Sequence, residues 1–207
     1  MLSTRHLHAP VWRRALAAIC VAGMTALTGC ASIYIDGNTR EVPADQFKHP
    51  ASPQPVQLVF EFQTKGQINA RATDFLKAQV TEQVKSSGLF SDVQSAAVPG
   101  GALLSITLNN VPLTDDAFAK GFVTGLTFGL AGSQVSDGYV CTASYQNDAR
   151  PVPVVKTARH ALHTVVGAGG TPPNATKAAN PDSAVRQMTT QIVSTALNDL
   201  SQDLVSP

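Results

Sequence analysis

Apolar residues recur at every second position in one set of segments and at helical spacing in another, which commits this chain to a sheet with one covered face. Over residues 56–63, Val56, Leu58, Phe60 and Phe62 fall on one side, opposite Gln57, Val59, Glu61 and Gln63. Residues 102–111 set Leu104, Ile106 and Leu108 against Ser105, Thr107 and Asn109, and residues 139–145 align Tyr139, Cys141, Ala143 and Tyr145. A further strand over 152–166, bent or broken along its length, follows the polar turn 146–150, a hairpin signal. Residues 89–94 read as a short strand or turn.

Two segments carry the helical period. Phe75, Leu76, Val80 and Val84 make one side of a helix over about 70–87, which Gly88 ends and Leu89 closes by packing back on it. After the Gly- and Pro-containing loop 167–180, Asn180 supplies an N-cap, Pro181 fits the first helical position, and Asp182 suits the positive end of the dipole. Val185, Met188, Ile192, Ala196, Leu200 and Leu204 form the stripe of this last helix. The economical arrangement is an α+β two-layer sandwich: a mainly antiparallel sheet of four or five strands with two amphipathic helices on one face.

Ahead of that domain lies a leader. Arg5, Arg13 and Arg14 precede an apolar run over 15–27 that holds no acidic residue and closes in Leu27-Thr28-Gly29-Cys30. The run falls well short of the roughly 20 residues that cross a bilayer, so an export signal fits better than a membrane span. An ordinary secretory signal is the competing reading. Leu27-Thr28-Gly29-Cys30 resembles the lipobox of bacterial lipoproteins, in which cleavage precedes the cysteine and its thiol and new amino group are acylated. That resemblance implies a signal peptide over 1–29, palmitate-type lipidation at Cys30, and stable membrane anchoring, since a single acyl chain holds only marginally. Ala31, in place of Asp, implies under enteric sorting the periplasmic face of the outer membrane. Residues 30–55, with Gly37, Pro43, Pro50, Pro53 and Pro55, read as the lipidated cysteine and a flexible tether, and 56–207 as the periplasmic domain.

Of 15 Lys plus Arg, three precede Cys30, so 12 remain against 14 Asp plus Glu, a balance that gives no footprint for nucleic acid. Cys20 departs with the leader and Cys30 is committed to lipid, which leaves Cys141 and no intramolecular disulfide. Cys141 reads as a buried strand residue, with intermolecular pairing or a reactive thiol as alternatives.

No charge occurs between Lys120 and Asp137, and Gly121, Gly125 and Gly129 recur every fourth residue, with Phe122, Val123, Leu126 and Leu130 supplying bulk. On a helix this spacing makes a smooth strip for close backbone approach. The segment is too short to span a bilayer. Glycines also cost a helix about 1 kcal/mol each relative to Ala, so a loop with helical turns competes with a regular helix. Three roles stay open: a buried connection, a flap onto lipid or an apolar ligand, and an oligomer contact.

Catalytic chemistry finds little support. His160 and His163 would be neighbours on a helix but point to opposite faces of a strand, and no cluster of Cys, Asp or Glu joins them as metal ligands. Asp115 and Asp116 are adjacent and so do not face one another as an acid/base pair. The Gly-rich stretch 167–171 lacks the Gly-Lys-Ser/Thr ending of a phosphate loop, and no Gly-x-Ser-x-Gly elbow occurs. No catalytic residue, metal ligand or cofactor is assigned, and the chain is read as a non-enzyme.

Residues 159–167, Arg186-Gln187-Met188 and Leu197-Asn198-Asp199-Leu200 are similar to a group of uncharacterised proteobacterial outer-membrane lipoproteins, over the last third of the chain. The order of elements also resembles small periplasmic lipoproteins that assist envelope transport or assembly machines. These likenesses imply a lipid-anchored binding or assembly accessory whose partner is an envelope protein or a lipid-like ligand. A lipoprotein that contacts membrane or a second copy of itself through residues 121–132 is the alternative, and an envelope hydrolase comes third.

Overall fold

The computed structural model describes residues 31–113, 134–167 and 170–205. Among them are strands β1 (Ala31–Asp36), β2 (Val56–Thr64), β3 (Gln67–Ile68), β4 (Val93–Gln94), β5 (Leu103–Pro112), β6 (Gln134–Asn147), β7 (Arg150–Val166) and β8 (Ala175–Lys177), and helices α1 (Ala70–Ser86) and α2 (Pro181–Leu204). The strands join in one sheet of order β3-β2-β5-β6-β7-β1-β8, with β4 also pairing β2.

The alternation in β2 and β5 does what its period requires. Val56, Leu58, Phe60 and Phe62 are buried, as are Leu104, Ile106 and Leu108. Register carries the apolar row across the sheet: Leu58 pairs with Leu104 and Phe60 with Ile106, and Leu104, Ile106 and Leu108 then pair with Tyr145, Ala143 and Cys141. Leu76, Val80 and Val84 of α1 and Met188, Ile192, Ala196 and Leu200 of α2 belong to the same buried cluster. Burial of each such large side chain contributes roughly 1.5–3 kcal/mol.

The helix ends follow their local chemistry. Asn69 caps α1, its side-chain oxygen accepting the Ala72 N–H at 3.0 Å. Gly88 follows that helix with φ of +69°, and a Cβ there would stand 3.0 Å from the His49 ring. Asn180 and Ser183 form a reciprocal capping box at the start of α2. Phe75 departs from its expected place on the buried side of α1. It is 36% exposed and lies beneath the Arg186 guanidinium, 4.1 Å from carbon to ring centre.

The sheet is larger than the four or five strands expected, and it is mixed. β5 and β4 run parallel to β2, because α1 carries the chain back over the sheet before it enters the next strand. β3, β4 and β8 are two or three residues long, too short to show a period. The span read as a tether opens with a strand: β1 is antiparallel to β7, from Ala31 opposite Val166 to Ile35 opposite Leu162. The rest of that span runs over α2. Ser194 Oγ accepts the Val42 N–H at 3.0 Å, Ser201 Oγ accepts the Lys48 N–H at 3.1 Å, and Phe47 is buried. β7, expected to bend or break, is one 17-residue strand with a register shift at its hairpin end. No helix among the described residues is long and apolar enough to cross a membrane.

Candidate functional site

The two histidines of β7 point to opposite faces of the sheet, as the strand period requires, and each organises one side of the same corner. On the face away from the helices, Tyr34, Asp36, Ala161, His163 and Val165 are buried. There His163 Nε2 lies 3.4 Å from Asp36 Oδ2, and His163 Nδ1 lies 2.8 Å from Ser136 Oγ. A carboxylate only accepts, so Nε2 carries the proton toward Asp36 and Nδ1 accepts from the Ser136 hydroxyl. Asp36 accepts further hydrogen bonds from the Asn38 backbone N–H at 2.8 Å and from Asn38 Nδ2 at 3.3 Å. Burial works to raise the Asp36 pKa, but the hydrogen bonds from His163 and Asn38 outweigh it and hold the carboxyl below its ordinary value.

On the helix side, His160 is fully buried beneath α2. The Ala161 N–H donates to His160 Nδ1 at 2.8 Å, so Nε2 carries the proton and donates to Gln191 Oε1 at 2.7 Å. Burial lowers the His160 pKa, and the hydrogen bond to Gln191 only partly offsets that. The ring is therefore neutral, and it fixes which way the Gln191 amide faces.

Beside Gln191 a cavity of about 520 Å³ opens between the end of β1, residues 171–176 and α2. Asp36, Arg40, Thr171, Thr176, Gln187 and Gln191 are among the side chains that line it. Local backbone geometry builds its floor. The Gly37 N–H donates to the Asn174 carbonyl at 2.7 Å, and a Cβ on Gly37 would overlap that oxygen. Asn174, with φ of +53°, reaches back through its side-chain N–H to Asn38 Oδ1 at 2.7 Å. A second cavity, of about 440 Å³, lies at the far end of the sheet against Leu89, Phe90, Tyr145 and Arg150.

Cys30 and the glycine-spaced residues Gly121, Phe122, Gly125, Leu126, Gly129 and Leu130 lie outside the described residues, as do Asp115 and Asp116. Cys141 is a free, buried strand cysteine whose pKa burial pushes up to about 12, which keeps the thiol protonated. Among the described residues no group of three or more His, Cys, Asp or Glu is placed to hold a metal ion. Sequence reasoning singled out the two histidines but missed their partners. Asp36 sat in the presumed tether, 127 residues from His163, and Gln191 on the polar side of a helix.

No protein-family model matches the chain, and no curated protein matches it. Solved structures similar to it include the PelC dodecamer from Paraburkholderia phytofirmans, at 12% identity over 84% of this chain and 98% of that one, with a TM-score of 0.35. The minor lipoprotein from Acinetobacter baumannii is also similar, at 14% identity over 73% of this chain and 89% of that one, with a TM-score of 0.29.

Proposed function

We propose that this chain is a lipid-anchored envelope lipoprotein whose domain sits directly on the membrane surface, at the periplasmic face of the outer membrane, and serves as a non-enzymatic binding or assembly accessory. The observation that carries this reading is the place of β1. Ala31, the residue after Cys30, already pairs with Val166. One peptide step is about 3.8 Å, so acyl chains on Cys30 would leave no slack between bilayer and sheet. The 17 residues of β7 extend roughly 55 Å at about 3.3 Å each, which stands the β6–β7 hairpin well clear of the anchored end. A non-enzymatic role is supported by the burial of the corner. Ser136, His163 and Asp36 follow the hydroxyl, imidazole, carboxylate order of a nucleophilic triad, yet His163, only 1% exposed, and Asp36 are buried, and the ring meets Ser136 through Nδ1 where such a triad uses Nε2.

Fatty-acid labelling of the full chain and of Cys30→Ser in a bacterial host tests the anchor. Label and membrane association are expected for the natural chain and lost in C30S; an unlabelled natural chain overturns the reading. A surface quencher confined to the bilayer should then reach a fluorophore at Val166 and not one at Asp148.

A second reading, that residues 121–132 make a further membrane or oligomer contact, is favoured by where the strands end. β5 stops at Pro112, opposite Asp137, and β6 starts at Gln134, opposite Val165, beside the pairing of Ala31 with Val166. In the C30S background, a Gly125→Leu change that leaves vesicle binding and oligomer size unaltered would sink it.

A further inference from the structure

We infer that the cavity between β1, residues 171–176 and α2 binds a phosphate ester of a small polyol, its phosphate on Arg40 and its remaining oxygens on Gln187 and Gln191. The inference is independent of the anchor, since none of these residues takes part in it.

The volume, about 520 Å³, lies within the ~300–1,000 Å³ typical of small-molecule sites and is far larger than a bare ion needs. Its unused polar groups are weighted toward donors. Arg40 is exposed and spends only Nε, on the Gly37 carbonyl at 3.4 Å, so its two terminal nitrogens have no partner among the described residues. They form the planar fork that suits an oxyanion. Gln187 makes no hydrogen bond among the described residues. Gln191 gives its oxygen to the buried, neutral His160, which leaves both amide protons without a partner among the described residues and turns them away from that ring. The one carboxylate in the wall, Asp36, is already engaged by Asn38 and His163 and offers little to a cationic ligand.

The two terminal nitrogens of one guanidinium, two amides and the Thr171 and Thr176 hydroxyls supply more donors than the two oxygens of a carboxylate can accept. A phosphate ester presents three non-bridging or terminal oxygens together with neighbouring hydroxyls, and satisfies both the charge and the surplus. His160 acts as a positioning residue, because it holds the Gln191 amide in the orientation that faces the cavity.

The test is calorimetric titration of the full chain in detergent with sn-glycerol 3-phosphate, with glycerol and inorganic phosphate as comparison ligands. Saturable binding of the ester is expected, with no binding of glycerol and weaker binding of inorganic phosphate. Arg40→Gln, at an exposed position, should weaken it about tenfold or more with unchanged melting temperature, and Gln191→Met several-fold with a lowered melting temperature, because the buried His160 Nε2–H loses its acceptor. Failure of the ester to bind, equal affinity for inorganic phosphate, or binding unmoved by R40Q overturns the assignment. Vesicles of phosphatidylglycerol, set against phosphatidylcholine, locate the source. Displacement by the former alone assigns a lipid headgroup and its absence a soluble ester, and either result upholds the chemistry.

Discussion

The centre of the sheet and its β1–β7 corner are built on opposite principles. In the centre, Leu58, Leu104 and Tyr145, then Phe60, Ile106 and Ala143, stand in register across three strands and meet a mainly apolar layer of helix side chains. At the corner the same strand geometry presents His160, His163 and Asp36, with the half-buried Ser136 beside them, and the burial of the first three is tolerated because each has a hydrogen-bond partner. Apolar packing is indifferent to which atoms touch, so it stabilises without selecting a direction. The corner fixes individual tautomers and amide orientations, and it borders a cavity whose remaining donors are unspent. Stability resides in the first region and recognition in the second.

The largest effect should come from the centre. Leu104→Ala removes a fully buried side chain between two apolar neighbours and should cost about 2–5 kcal/mol in chemical denaturation, by the same amount at pH 7 and pH 5. A loss below 1 kcal/mol would mean that the row is not packed as the register implies.

Corner changes should be smaller and should depend on pH. Asp36→Ala strands His163 and the Asn38 N–H and should cost about 1–3 kcal/mol near neutrality. Because the folded pKa of Asp36 is depressed, its contribution is present above the unfolded value of 3.8 and is lost only as pH falls through the lower folded value. His160 behaves differently: its folded pKa lies below 6.5, so the unfolded chain takes up the proton first and stability drops as pH falls from about 6.5 toward the folded value. The slope cannot exceed about 1.4 kcal/mol per pH unit for this one group. Melts between pH 7 and pH 5 should show that slope in the natural chain and a flatter one in His160→Gln.

The smallest effect should be a gain. Thr189, fully buried on α2, has a hydroxyl with no hydrogen-bond partner among the described residues, an exception to the mainly apolar character of that layer. Thr189→Val keeps the shape and removes the unsatisfied oxygen, so a stabilisation of about 1 kcal/mol is expected in urea unfolding. A loss there would show that the hydroxyl has a partner and that the centre is less purely apolar than its register suggests.

Much of the architecture can be read from single segments. Alternation at Val56, Leu58, Phe60 and Phe62, the Asn69-to-Gly88 bounds of α1, and the Asn180-Pro181 start of α2 are local signals set by backbone periodicity and capping. What escapes is whatever needs two distant segments at once. Ala31–Asp36 carries prolines downstream and little hydrophobic context, and only pairing with Leu162–Val166 makes it a strand. The parallel pairing of β2 with β5 depends on the path of α1 over the sheet, which periodicity does not encode. At the candidate site the histidines could be picked out, whereas Arg40, Gln187 and Gln191 could not, because exposed polar residues are uninformative until the fold sets them around one cavity.

The sequence alone determined that this chain must cover one face of a sheet with two helices, since that follows from the order of polar and apolar residues along the chain. The tertiary structure decided that the span read as a tether opens with a strand held between β7 and β8, that the sheet is mixed, and that Asp36 meets His163 across 127 residues. Those outcomes rest on which backbone groups find partners far along the chain, and such pairing is a property of the assembled sheet.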